Sequence, residues 1–274
     1  MIVQHNMAAI NTNRQLGMTT SSLAKATEKL SSGYRINRAA DDAAGLSISE
    51  KMRGQIRGLE QASTNASDGI SLIQTAEGAL NEIHSIVQRM RELTVQAAND
   101  TNVTSDRVAI AAELYALTSE ITRIADTTEF NTMKVLNGSF TDKKLQVGAN
   151  SGQQISISIV SMSATGIGLD GVGSVVEANN ADDISDLLDT LDAALSQVST
   201  QRSSLGAIQN RLEHTIANAD NVAENLTDSE SRIRDVDMAD EMVTFSKYNI
   251  LQQAGQSMLA QANQSTQGVM SLLG

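Results

Sequence analysis

Proline, cysteine and tryptophan are absent from all 274 residues, and only three Phe and three Tyr are present. At its ordinary share of ~5%, proline would occur roughly fourteen times. Its absence removes the residue that most reliably breaks a helix, by deleting a backbone donor and clashing with the preceding turn. Without cysteine there is neither a disulfide framework nor a thiolate metal site. Scarce aromatics exclude a thick globular core and leave thin layers of Leu, Ile, Val, Ala and Met. Basic residues are also short: 20 Lys and Arg face 32 Asp and Glu, a net charge of −12. That balance disfavours nucleic acid as a partner, since its binding needs clustered cations. No apolar run is long enough to span a bilayer. The opening MIVQHNMAAINTNRQL has no basic stretch followed by an apolar one, so it does not read as a cleavable secretory signal. Histidine occurs at His5, His84 and His214, too far apart for the paired-histidine helix of a zinc protease. There is no Gly-rich phosphate loop of the Walker type. No catalysis, cofactor or metal is expected.

What the chain does have is helical periodicity. Residues 2–30 form a weak amphipathic pattern with Leu16, Leu23 and Leu30 seven apart. A break at 31–44 carries Arg35, Arg38, Asp41 and Asp42. Then Met52, Leu59, Ala66, Ile73, Leu80 and Val87 recur every seven residues, with Ile56, Ile70, Ile83 and Met90 as a companion seam. After a polar break at 99–105, Ile110, Leu114, Leu117, Ile121 and Ile124 make another helical stripe. Residues 144–148 and 154–160 alternate apolar and polar around Ala149-Asn150-Ser151-Gly152, which predicts a β-hairpin. The stretch 164–182, rich in Gly, Asn and Ser, reads as loop. The cleanest heptad follows: Ile184, Leu191, Val198, Leu205, Leu212, Ala219 and Leu226, with Leu188, Leu195, Ile216 and Ala223 four residues after some of them. A last helix is expected from Ile233 to Leu273, with Leu251, Met258 and Leu272 on one seam and Tyr248, Ala262 and Val269 beside it.

A repeat of seven keeps a narrow apolar stripe facing a partner helix, so these segments should coil around one another. The expected fold is all-α: a long antiparallel coiled-coil rod with the small hairpin at one end and the paired terminal helices at the other. Its parts are an N-terminal helix 1–30, a connector 31–44, a rod region 45–182, a returning helix with its connector 183–232, and a C-terminal helix 233–274. The terminal helices carry too little apolar surface to offset the entropy of ordering them. Two readings stay open from the residues alone: frayed tails with accidental periodicity, or segments ordered by other copies of the chain.

Four motifs then point to one family. LSSGYRINRAADDAAGLSIS at 30–49 closely resembles the segment that follows the first terminal helix of bacterial flagellins. SKYNILQQAGQSMLAQANQSTQGVMSLLG at 246–274 resembles the flagellin C-terminus, and QRMRELTVQAAND at 88–100 and EFNTMKVLNG at 129–138 fall in order between them. The similarity covers roughly 1–140 and 180–274. One departure is Asn131-Thr132, where the family usually has Asn-Gly, so the turn there should be altered.

The resemblance implies a filament subunit whose paired termini line an inner tube and whose helical rod forms an outer one. Only about 140–182 is available for the large variable outer domains of most flagellins, so none is expected. It implies secretion through the flagellar type III export apparatus without a cleaved signal, and an extracellular place in the bacterial flagellum. The implied partners are other subunits, an export chaperone binding the C-terminal helix, and the filament cap and hook-junction proteins. As monomer, the subunit would also meet the vertebrate flagellin-sensing Toll-like receptor. Matched residue by residue, Leu16, Leu23, Leu30, Leu251, Met258 and Leu272 fall to polymerisation. Arg35, Arg38, Asp41 and Asp42 fall to connector packing and export, although mixed charges in a linker read equally as a solvated face. Arg89, Leu93 and Glu113 fall to the receptor; their plain reading is exposed surface with a partly buried apolar residue. A hook–filament junction protein, which has flagellin-like ends, is the alternative within the same class.

Overall fold

The computed structural model describes the backbone of residues 6–178 and 181–273, and side chains as far as Ser265 except those of residues 181 and 182. His5 and the side chains of Leu272 and Val269 lie outside the described residues. Six helices and four short strands follow in the order α1 Met7–Ser32, α2 Ala43–Ala97, α3 Thr104–Thr127, β1 Glu129–Phe130, β2 Met133–Lys134, β3 Lys143–Gln146, β4 Gln154–Ile157, α4 Val172–Glu177, α5 Ala181–Arg234 and α6 Met238–Leu273. The fold is mostly α. Two compact units divide it: one joins the first 54 residues to Glu224–Gly274, the other is Gln55–Ala223.

The helix ends are written in the sequence. The Asn6 carboxamide oxygen accepts from Ala9 N–H at 3.0 Å and starts α1. Gly33, at φ 75°, ends it by donating to Lys29 O, the left-handed cap that glycine adopts without penalty. Asp42 accepts from Gly45 N–H at 2.9 Å and opens α2. Asp237 does the same for α6 through Ala239 and Asp240. The last helix therefore begins at Met238, not at Ile233, which belongs to α5.

Within Gln55–Ala223 one core runs through the helices. Ala66, Ile73, Leu80 and Val87 of α2 are buried, as are Ile184, Leu191, Val198, Leu205 and Leu212 of α5. α2 and α5 are antiparallel: Gly69 lies near Leu212, Glu77 meets Arg202 and Arg91 meets Asp192. Each fully buried Leu or Ile contributes about 1.5–3 kcal/mol. The companion seams match the expected ones at Ile83 and Met90 and differ elsewhere. On α2, Ala62, Ala76, Ile83, Met90 and Ala97 are buried, while Ile56 and Ile70 are half-exposed. On α5 it is Ala194 and Gln201 that are buried, three residues after Leu191 and Val198, while Leu188 and Leu195 stay half-exposed. Buried Gln201 donates to Ser158 O at 3.3 Å, which satisfies its amide.

The predicted hairpin is present as β3–β4, with Leu145 opposite Ile155. It lies along α2 instead of forming a tip. A Cβ at Gly58 would stand 2.8 Å from that of Ala149 in the hairpin turn, one at Gly69 would run into Leu145 Cδ1, and Asn65 donates to Gln146 O at 3.1 Å. A second hairpin, β1–β2, turns through Asn131 at φ 46° and Thr132 at φ 64°. A β-branched residue in the left-handed region is strained, which is the cost of having threonine where glycine suits the turn. The stretch expected to be loop is irregular as far as Gly171 and then forms α4, and it is well packed: Ala164, Ile167, Leu169, Val172 and Val176 are buried, and Gly173 of α4 receives the ring of Tyr115 from α3.

Candidate functional site

In the unit formed by the two ends of the chain, α1 and α6 pair antiparallel. Asn6 donates to Ala262 O at 2.9 Å, Leu16 meets Gly255, and Lys29 lies 3.7 Å from Glu241. The α1 residues turned inward are Ala9, Thr12, Leu16, Thr19, Leu23, Ala26 and Leu30, spaced alternately three and four apart; only Ala26 is buried. From α6 come Glu241, Phe245, Tyr248, Gln252, Gly255, Leu259 and Ala262 at the same spacing. The seam is thus narrow and mixes large apolar residues with small or polar ones.

Large apolar side chains are left outside it. Met7, Ile10 and Met18 of α1 are exposed, as are Met238, Met242, Val243, Ile250, Leu251 and Met258 of α6. On α6 these fall into three groups by helical spacing: Met238 with Met242, Val243 with Ile250, and Leu251 with Met258. Apart from the face toward α1, every side of α6 is apolar somewhere along its length. Leu16, Leu23 and Leu30 face the partner helix, whereas Leu251 and Met258, expected on a seam, face away from it.

The connector between α1 and α2 is tied to the turn between α5 and α6. Arg35 N–H donates to Arg234 O, Val236 N–H to Gly33 O, and the Arg35 guanidinium to Ile233 O. The Arg234 guanidinium stacks 4.6 Å over the Tyr34 ring and donates to Glu50 at 3.2 Å. Arg38 makes a two-pronged pair with Glu28, at 2.9 and 3.2 Å. Asp41 accepts from Arg38 and Asn37 N–H, and chiefly the Arg38 bond holds its carboxyl below the usual aspartate range. Asp42 caps α2. Each of the four charges singled out in the sequence therefore has a positioned partner. Tyr34, Glu50 and Arg234 were not singled out, and only the structure brings them together.

On α2, Arg89 bridges Glu92 and Glu113, each at 3.1 Å, and these bonds push its guanidinium pKa up. Leu93 does not share that surface. It is 2% exposed and belongs to the core. Arg107, 7% exposed, reaches from α3 to Ala97 O and Asp100 and satisfies the end of α2. His84 lies beside Gln88 at 3.0 Å and His214 is exposed. Among the described residues no group of His, Asp or Glu could hold a metal ion, and no helix is long and apolar enough to cross a membrane.

Residues 3–141 match the bacterial flagellin N-terminal helical region, and residues 188–273 match the bacterial flagellin C-terminal helical region. A flagellin of Halalkalibacterium halodurans is 56% identical and one of Bacillus subtilis 53% identical, each across 100% of both chains. A solved hook-associated protein of Vibrio parahaemolyticus, 14% identical, shares the fold at a TM-score of 0.58 over 72% of this chain and 98% of its own. With both terminal regions matched and full-length relatives above half identity, this chain belongs to the bacterial flagellin family.

Proposed function

We propose that this protein is a non-enzymatic structural subunit that polymerises, outside the cell, into the filament of a bacterial flagellum. The observation that carries this reading is the unpartnered apolar surface of α1 and α6. A helix whose partner covers one narrow side, and which keeps Val243, Ile250, Leu251 and Met258 in water on others, gains stability when further helices surround it. Identical neighbours in a tube would cover all of them at once. The seven-residue spacing in α2 and α5 supports a coiled-coil rod as the outer part of the subunit.

Seeded polymerisation tests this. Purified chain added to short filament seeds should give long filaments by electron microscopy. Leu251→Asp should melt like the parent yet fail to elongate, since a carboxylate at a buried contact is strongly disfavoured. Normal elongation by that variant would sink the proposal. A hook–filament junction protein would add only a short collar to the seeds.

Export in an unfolded state, a chaperone on the C-terminal helix, cap and hook-junction contacts, and receptor sensing belong to the same proposal. For the receptor, the surface on offer is the Arg89–Glu92–Glu113 cluster, with Leu93 supporting it from beneath. Arg89→Ala should lower receptor signalling at equal monomer concentration with the melting curve unchanged. Undiminished signalling would remove Arg89 from the reading.

A further inference from the structure

Methionine is unevenly placed in this chain. Met90 and Met162 are enclosed in the core, whereas Met7 and Met18 on α1 and Met238, Met242 and Met258 on α6 are exposed, from 48% to 67%. None of the five is on the α1–α6 seam. Met7 and Met18 stand on the side of α1 opposite Leu16 and Leu23, while Met258 shares a flank of α6 with Leu251. Methionine suits a surface that must bury itself against a neighbour, being flexible, apolar and polarisable. Its thioether is also an accessible target for oxidants, and the sulfoxide is polar.

We infer that these five methionines are oxidation sites at which a peroxide stops the free subunit from joining a polymer. The inference rests on the polymerisation proposed above. In the reaction the sulfur lone pair attacks one peroxide oxygen, and an S–O bond forms as the O–O bond breaks. Sulfur is oxidised by two electrons and the peroxide is reduced. The departing hydroxide takes the proton from the new S–OH group, giving water and a sulfoxide. In the free subunit that sulfoxide stays hydrated and disturbs nothing, because the seam holding α1 to α6 contains none of the five. Between apolar faces of neighbouring subunits its oxygen has no donor, and the desolvation penalty falls on assembly alone. Once covered in the polymer, the same sulfurs are shielded from the oxidant. Oxidation therefore acts on subunits before they are incorporated and spares those already in place.

Met133 supplies an internal control. It is 41% exposed on β2, outside α1 and α6. The test is oxidation interference on the full chain. Monomer is treated with hydrogen peroxide to about one sulfoxide per molecule and offered to filament seeds. Polymer and supernatant are separated, and sulfoxide at each methionine is measured by peptide mass spectrometry. Sulfoxide at the five positions should be depleted about tenfold in the polymer, Met133 sulfoxide should be equal in both fractions, and Met90 and Met162 should be unoxidised. Equal sulfoxide at the five positions in both fractions would overturn the inference while leaving polymerisation intact. So would depletion at Met133 as strong as at the five, or loss of α1 and α6 helicity in the oxidised monomer, which would mean damage to the subunit itself. Untreated chain that never elongates seeds would overturn the polymerisation reading, and this one with it.

Discussion

Two parts of the molecule use one spacing to opposite ends. Along α2 and α5, between Gln55 and Ala223, the seven-residue repeat is filled with Ile, Leu and Val, and those side chains are buried within the subunit. Along α1 and α6 the repeat that actually meets the partner interleaves Leu, Phe and Tyr with Ala, Thr, Gln and Gly, and further large apolar residues stand outside it. A seam of large residues is satisfied by one neighbour. A seam interleaved with small ones lets two helices approach closely and leaves hydrophobic surface for others. Periodicity alone does not say which arrangement is present; the size of the residues on the repeat does.

One substitution made in both parts should separate them most. Leu205→Ala removes a side chain with no exposed surface and should destabilise the subunit by about 2–5 kcal/mol in thermal or denaturant unfolding. Leu251→Ala, at a residue 44% exposed, should change monomer stability by less than about 0.5 kcal/mol. Equal losses would erase the contrast. Next in size is the docking of the hairpin on α2. Gly58→Leu would push against the backbone of Ala149 and should cost about 1–3 kcal/mol, seen as faster hydrogen exchange across β3 and β4.

Smaller and of opposite sign is Thr132→Gly. It relieves a left-handed threonine and should raise the melting temperature, by the equivalent of about 1 kcal/mol. Smallest is the acid response of the connector. The Asp41 carboxyl sits below its ordinary value of 3.8 in the folded chain. Its contribution is thus fully present above that value and is lost as pH falls through the lower, folded one. Asp41→Asn should flatten that part of the stability profile, and a steeper acid limb in the variant would show the assigned sign to be wrong.

How far these features could be read beforehand varies with residue size. Ile184 to Leu212 were legible to the residue, because large aliphatic side chains on a strict repeat have few alternatives. The companion seam was legible only at Ile83 and Met90, because Ala62, Ala76, Ala194 and Gln201 carry little or no apolar signal and become core only once a neighbouring helix comes close. The burial of Leu93 was not legible either: spacing of one turn from exposed Arg89 does not fix how deep a side chain sits. In the segment from Ala164 to Val176 the glycines announced the turns as far as Gly171, but not the burial of its apolar residues nor the short helix α4. Gly58 and Gly69 gave no hint of a hairpin lying over them. In the connector the four charges were readable, whereas the cap that Asp42 forms on α2 and the meeting of Tyr34, Glu50 and Arg234 appear only in the structure.

The contact between Asn6 and Ala262 joins positions 256 residues apart. Holding such distant segments together adds only logarithmically to the entropy of loop closure, but it fixes an order of events in time. A chain that emerges from a ribosome or a narrow channel end first delivers one of these helices long before the other. The β3–β4 hairpin and the α3–α4 contact can form as soon as their own short stretches are free. The α1–α6 pair must wait until both helices and everything between them have emerged, whichever end leads. The apolar faces that this pair displays are therefore presented together only by a subunit whose intervening parts have already had time to fold, which makes the emergence of both helices a condition for stickiness.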